Sequence, residues 1–193
     1  MKTGLLLIAA AGMACAQNSD LGLLISITTP SSQRISAGRI GGTAGGGVQI
    51  NYAAQLKESP AGRLYLELPV LIGARSSGTV STVIRGSTVT GIYFTPGVRY
   101  NVTLHPRTSL YVAGGAGVAS FNYDVGIVAP GVISSTSTWT SSFAVAFGGG
   151  LDFRLTRLIS LRGEVRDFVS KKGIGLTDGR NHPVFGFGMG FHW

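Results

Sequence analysis

The stretch Phe185-Gly-Phe-Gly-Met-Gly-Phe-His-Trp193 puts a large apolar residue at every odd position and glycine at every even one until His192. Side chains of a strand alternate across the sheet, so Phe185, Phe187, Met189, Phe191 and Trp193 form one apolar stripe, while Gly186, Gly188, Gly190 and His192 face the other way. A soluble sheet backs such a stripe with polar residues. Glycine solvates nothing and weakens packing inside a strand, so a glycine row suits the crowded interior of a small closed barrel whose apolar face looks outward.

Seven further segments repeat the period of two between clusters of Gly, Pro, Ser, Asn and Asp. The first, Asp20 to Thr28, sets Leu21, Leu23, Ile25 and Ile27 on one face; the second, Val48 to Leu56, sets Val48, Ile50, Tyr52, Ala54 and Leu56 against Gln49, Asn51 and Gln55. The third, Leu64 to Gly73, opposes five aliphatic positions to Tyr65 and Glu67; the fourth, Gly91 to Val102, opposes Val98, Tyr100 and Val102 to Arg99 and Asn101. The fifth, Leu110 to Phe121, has two faces of similar size, so its facing stays open. The sixth, Ser142 to Leu155, opposes Phe143, Val145, Phe147, Leu151 and Phe153 to Asp152, Arg154 and small residues; the seventh, Leu158 to Val169, opposes Ile159, Leu161 and Val165 to Arg162, Glu164 and Arg166.

Links after the second, fourth and sixth segments are short, and those after the others are long, as in a barrel with both termini on one side. The long links span Thr29 to Gly47, Ala74 to Thr90, Asn122 to Ser141 and Ser170 to Asn181, some of them extending the hairpins. Parity constrains the turn after the sixth strand. An odd-length turn such as Leu155-Thr156-Arg157 keeps Arg162 and Glu164 off the apolar face, whereas a two-residue turn exposes them on it. Pro69 and Pro96 each remove a ladder donor from a sheet without edges, which is read as a pair of bulges near the outer rim or as a flexible gate.

Composition agrees with strands and not with helical spans. Hydrophobic residues reach 44% and mean hydropathy is +0.31, yet beyond the N-terminus no run approaches the roughly 20 apolar residues of a spanning helix. The net charge of +8 comes from scattered bases without interleaved aromatics, so nucleic acid is not an expected partner. Residues 1–16 read as a cleavable signal peptide: Lys2, an apolar stretch from Leu5 to Ala11, and small residues at Ala14 and Ala16. Cleavage after Ala16 removes Cys15 and leaves one domain, 17–193, without cysteine. Gly-Met-Ala-Cys15 also ends as a lipoprotein leader does, with Gly12 where that pattern usually has leucine.

Taken together, the closing stripe with its C-terminal aromatic residue and the eight two-faced segments resemble the small bacterial outer-membrane β-barrels of the OmpA and OmpX type. The resemblance implies an all-β, eight-stranded antiparallel up-and-down transmembrane β-barrel, exported through a signal peptide to the cell outer membrane. It also implies that Phe185, Phe187, Met189, Phe191 and Trp193 form the insertion signal read by the barrel assembly machinery, and that the protein is a monomer. Tyr52, Tyr93, Tyr100, Phe143, Phe153 and Trp193 are candidates for the aromatic girdles at headgroup depth.

The inward set holds Glu67, Arg99, Asp152, Arg154, Arg162, Glu164 and Arg166, in a lumen barely wide enough for side chains. Charges removed from water are tolerated when paired, so these residues are expected to form an ionic plug; the alternative is a narrow polar path for ions. Lipid-modifying barrel enzymes use serine and histidine at the outer rim. Of three histidines, His105 and His192 fall on the inner side and only His182 falls near the rim, in an apparent loop beside Asp178 and Asn181. No catalytic set, metal site or cofactor is expected. Asn101-Val-Thr103 has glycosylation spacing but ends a strand, and Gly114-Gly-Ala-Gly117 and Gly148-Gly-Gly150 open no helix and lack the phosphate-loop lysine.

The long links carry Arg34, Arg39, Arg75, Arg85, Lys171, Lys172 and Arg180 against Asp124 and Asp178. Such bases suit the phosphates of outer-membrane lipopolysaccharide, or serve only to keep loops soluble. The expected function is a non-enzymatic barrel with a structural or surface-interaction role; a passive channel, a lipid-modifying enzyme and a secreted soluble barrel such as a lipocalin are the rivals.

Overall fold

The computed structural model describes residues 18–28, 33–35, 38–40, 45–77, 84–129, 132–172 and 178–193. The leader, 1–16, lies outside them. The strands are β1 (Ser19–Thr28), β2 (Gln33–Ile35), β3 (Gly38–Ile40), β4 (Gly45–Ser59), β5 (Gly62–Ser77), β6 (Ile84–Phe94), β7 (Gly97–His105), β8 (Thr108–Ala129), β9 (Val132–Arg154), β10 (Ile159–Lys172) and β11 (Asp178–His192). β2 and β3 pair only with each other; the other nine form one antiparallel sheet in which β1 bonds to both β4 and β11. The sheet is therefore a ring. Its eight staves are the eight sequence segments, because β6 and β7 follow one another along a single stave between β5 and β8.

Closure joins the first strand to the last. Leu21, Leu23, Ile25 and Ile27 stand opposite Phe191, Met189, Phe187 and Phe185, so the apolar stripe continues from β11 onto β1. At the chain end, Ser19 N–H donates to the Trp193 carbonyl at 3.0 Å and Trp193 N–H returns the bond at 3.1 Å. Phe187 is 64% and Ile25 73% exposed, which for side chains of this type is tolerable only against an apolar medium. The large outward residues of β4, β5, β7, β9 and β10 are exposed or intermediate as their alternation requires, but Ala54, expected outward on β4, is buried, next to the register shift at Gln55/Lys57. β8 resolves the open facing: Leu110, Val112 and Val118 point out, Tyr111, Ala113, Ala119 and Phe121 point in.

Three short connections, at 60–61, 106–107 and 155–158, lie at the end that carries both termini. Counted by its pairing, the last is an odd turn of three residues, Thr156 to Leu158, as parity demands but one residue later than expected. Leu155 faces Ile159 across Thr156, Arg157 and Leu158, with Leu155 N–H donating to the Ile159 carbonyl at 3.0 Å. Thr156 Oγ1 accepts from the N–H groups of Leu158 and Ile159, a local turn that a hydroxyl at this position favours. Arg162 and Glu164 consequently face inward. At the other end, strand pairing continues further than the alternation suggested: β8 and β9 are paired up to Ala129 and Val132, through most of the Asn122 to Ser141 link.

The proline reading needs correction. Phe94 faces Val70 and Gly97 faces Glu67, and on the other side Phe94 faces Val118 and Gly97 faces Gly115, so the register is the same above and below Pro96. There is no bulge at either proline. The fourth stave is interrupted at Thr95-Pro96, opposite Leu68-Pro69 on β5, so the two missing donors share one gap in the ladder. Pro96 still contributes its carbonyl, which accepts from Ala116 N–H at 3.0 Å. The register shifts lie elsewhere, at Gln55/Lys57, Thr103/His105 and Ile84/Ser87.

Candidate functional site

The lumen is filled in two layers. Nearer the termini is a charged layer, with Asp20, Glu67, Arg99, Asp152, Arg162, Glu164 and Arg166 all buried. Beyond it lies an apolar layer of Leu71, Tyr93, Ala119, Phe121, Ala144, Ala146, Phe168 and Val184. The Tyr93 ring meets Phe121 edge-on at 5.5 Å and Phe168 at 4.8 Å, both favourable separations.

Arg162 organises the inner half of the charged layer. Its Nη1 and Nη2 donate to the two Asp20 oxygens at 2.9 and 2.7 Å, while Nε and Nη2 donate to the two Asp152 oxygens at 2.6 and 2.9 Å. This doubled fork uses the planar guanidinium in a way that lysine cannot. Glycine on neighbouring β1 and β11 makes the room: a Cβ at Gly22 would stand 2.7 Å from Arg162 Nη1, and one at Gly190 would stand 3.2 Å from Nη2. Gly22 of β1 and Gly190 of the closing strand thus make the seat of a buried arginine.

The outer half is built on Glu164. Its carboxylate accepts from Tyr111 Oη at 2.7 Å, Asn51 Nδ2 at 3.1 Å, Gln49 Nε2 and Arg166 Nη2 at 3.1 Å. Arg166 Nη2 also donates to Glu67 at 2.9 Å. Arg99 joins the halves, pairing with Asp20 at 3.1 Å and approaching Glu67 at 3.8 Å. Its guanidinium lies 4.8 Å from the Tyr65 ring centroid and 5.2 Å from that of Tyr111, so aromatic faces supply the attraction that a further carboxylate would otherwise provide. Three guanidiniums and four carboxylates are thereby held in one contact network.

Of the expected lumen charges, six enter this network. Arg154 does not: it is half-buried at the inner mouth and has no side-chain ion pair among the described residues. Sequence reasoning missed Asp20, Tyr111, Gln49 and Asn51 as members. Asp20 was readable, since it shares parity with the inward Leu24 and Ser26; Tyr111 was hidden by the similar faces of its strand. Tyr93 is also corrected: it is 3% exposed and belongs to the inner apolar layer, not to a girdle. Of the other girdle candidates, Phe143, Phe153 and Trp193 are exposed and Tyr52 and Tyr100 intermediate, all on the outer face.

His182 is likewise corrected. It stands within β11, opposite Phe168, is buried, and lies 6.3 Å from Tyr93. A different histidine makes the contacts of a base. His192 Nδ1 donates to Asp20 at 3.1 Å, and its Nε2 shares a 2.9 Å hydrogen bond with Ser160 Oγ. The connectivity is that of nucleophile, base and orienting acid. Ser160 is fully buried, however, so no carbonyl carbon can reach its Oγ, and both Asp20 oxygens are already taken by Arg162. The chain of bonds fixes the imidazole as part of the inner wall.

At the inner turn between β4 and β5, Arg63 Nε donates to Glu58 at 2.9 Å; this hydrogen bond lowers the Glu58 carboxyl below its ordinary range and raises Arg63. No cluster of His, Cys, Asp or Glu among the described residues could hold a metal. The backbones of Arg34, Arg39, Arg75, Arg85, Lys171, Lys172 and Arg180 stand on strands at the end remote from the termini, and their side chains lie outside the described residues.

Comparison with known proteins agrees with this geometry. The model of the family described as "Outer membrane protein beta-barrel domain" matches residues 3–192. No curated protein matches the chain. Among solved structures, Ail, the attachment invasion locus protein of Yersinia pestis, aligns at 15% identity over 91% of this chain and 98% of its own, with a TM-score of 0.54. OprG of Pseudomonas aeruginosa aligns at 10% identity over 92% and 96%, with a TM-score of 0.53. The outer membrane protease OmpT of Escherichia coli aligns at 10% identity over 91% and 96%, with a TM-score of 0.52. These likenesses are of fold.

Glu164→Gln removes a charge from a site holding Arg166 and leaves that guanidinium short of a partner. Breaking one side of a buried pair costs about 3 to 5 kcal/mol, less where water enters. The urea midpoint of the refolded barrel is expected to fall accordingly, whereas Glu58→Gln, at an exposed pair, leaves it unchanged. Equal midpoints for the two variants would count against a structural network.

Proposed function

The chain belongs to the outer membrane protein beta-barrel domain family, and on that premise we propose that it is a non-enzymatic outer-membrane protein with a structural or surface-interaction role, its lumen closed by its own side chains. The observation that carries this reading is the double filling of the lumen. An ion path would need polar groups left open to water along the axis, but here the carboxylates are engaged by guanidiniums and an aromatic layer lies beyond them. An eight-stranded ring has no spare width to bypass either layer. A hydrolytic reading has the Ser160, His192 and Asp20 connectivity in its favour and the burial of Ser160 against it.

The surface role would fall to the end remote from the termini, which in this architecture faces outward, with short turns on the periplasmic side. The bases there are suited to anionic outer-leaflet headgroups, lipopolysaccharide in particular, through charge-assisted hydrogen bonds. One similar protein, Ail, has been solved with the heparin analogue sucrose octasulfate, a polyanion bound by that protein on the same general fold.

Planar-bilayer recording of the refolded barrel tests the closed lumen: silence is expected, and a steady unitary conductance would overturn it. For the surface role, binding to lipopolysaccharide micelles is expected to weaken steeply with added salt and to drop when Lys171, Lys172 and Arg180 are neutralised together. Binding indifferent to both changes would leave these bases as solvated covering.

A further inference from the structure

The inner mouth of the barrel holds a cavity of about 120 Å³ beneath the charged layer. Its wall carries Arg107, Arg154, Asn101, Thr103, Thr108 and Ser109, with His192 and Asp152 toward the lumen. Three features separate it from an ordinary wet surface. First, Arg107 and Arg154 are held side by side, because Arg154 N–H donates to the Arg107 carbonyl at 2.7 Å where β9 meets the turn after β7. Second, neither guanidinium has a side-chain partner among the described residues, whereas Arg63, also on the rim, is paired with Glu58. Third, the one acid in the wall, Asp152, has both oxygens bonded to Arg162 and offers these arginines no free carboxylate. Asn101 adds a buried Oδ1 with no hydrogen-bond partner.

Two unpaired arginines, set side by side by their backbones over a neutralised floor and beside the hydroxyls of the wall, form a donor-rich cup. We propose that this mouth is a binding site for a compact oxyanion, a phosphate ester or a carboxylate, entering from the side that carries the termini. The arginines supply forked hydrogen bonds to its oxygens, the hydroxyls of Thr108 and Ser109 are placed to supplement them, and Asn101 Oδ1 is available for a donor on the ligand's remainder. The volume takes a phosphate or carboxylate group with a few attached atoms and no more, since one water needs about 10 to 15 Å³ of such space. The Arg162 layer behind the cup stops the ligand from going further. This is a terminal site and not the entrance of a path, and it is separate from the outward-facing bases.

The test uses the refolded barrel in an uncharged detergent, titrated with inorganic phosphate or with glutarate while the His192 and His105 imidazole signals are followed by NMR. A saturable shift of His192 is expected with at least one ligand; tighter phosphate binding identifies a phosphate site and tighter glutarate binding a carboxylate site. Arg107→Gln combined with Arg154→Gln should raise the dissociation constant at least tenfold. Arg157→Gln, which removes one positive charge from the exposed neighbouring turn, should change it less than twofold. If the double variant does not refold to the heat-modifiable form, Arg107→Gln alone is expected to weaken binding at least threefold. Absence of a saturable shift with both ligands, or equal weakening by Arg157→Gln, overturns the proposal.

Discussion

Hydrocarbon offers no hydrogen bonds, so a sheet that spans it must leave no backbone edge, and the pairing of β1 with β11 is the step on which everything else depends. Once the ring is closed, each stave has one face to lipid and one to a narrow lumen, and parity decides every side chain's medium. The reciprocal bonds between Ser19 and Trp193 place that seam at the very ends of the described chain. The interruption at Thr95-Pro96 is accommodated because both prolines fall in one gap, with the register held on either side by long paired runs.

Closure then creates a second problem, since inward charges lose water. The molecule meets it by geometry: forked arginines, tyrosine faces and glycines that vacate the space a guanidinium needs. A buried ion pair is weak evidence for net stability, because desolvation offsets much of the attraction. What such a network supplies is register. A one-residue slip of β10 would carry Arg162, Glu164 and Arg166 to the lipid face, so the alternative pairings are excluded far more strongly than the native one is favoured.

Most of the fold was legible because alternation is a local signal that closure does not override. Eight staves, the facing of all but β8, the short turns and an odd turn before β10 followed from parity. The lumen was only partly legible. Its charges announce themselves in sequence, but its apolar layer does so less: Tyr93 passes for a girdle residue and Phe121 has no clear facing until the register places both inside. The unbroken register at Pro96 and the position of His182 within a strand depend on neighbouring staves, which one segment's pattern cannot report. Similar folds named for attachment and for proteolysis show why the architecture alone does not select a role.

The central claim is that the lumen charges act as one coupled unit and not as separate pairs. A double-mutant cycle on Asp20→Asn and Asp152→Asn tests it directly, because the two carboxylates share Arg162 and come from distant parts of the chain. Urea unfolding of the refolded barrel should give a coupling energy above about 0.5 kcal/mol. Additivity within about 0.3 kcal/mol would contradict a shared network.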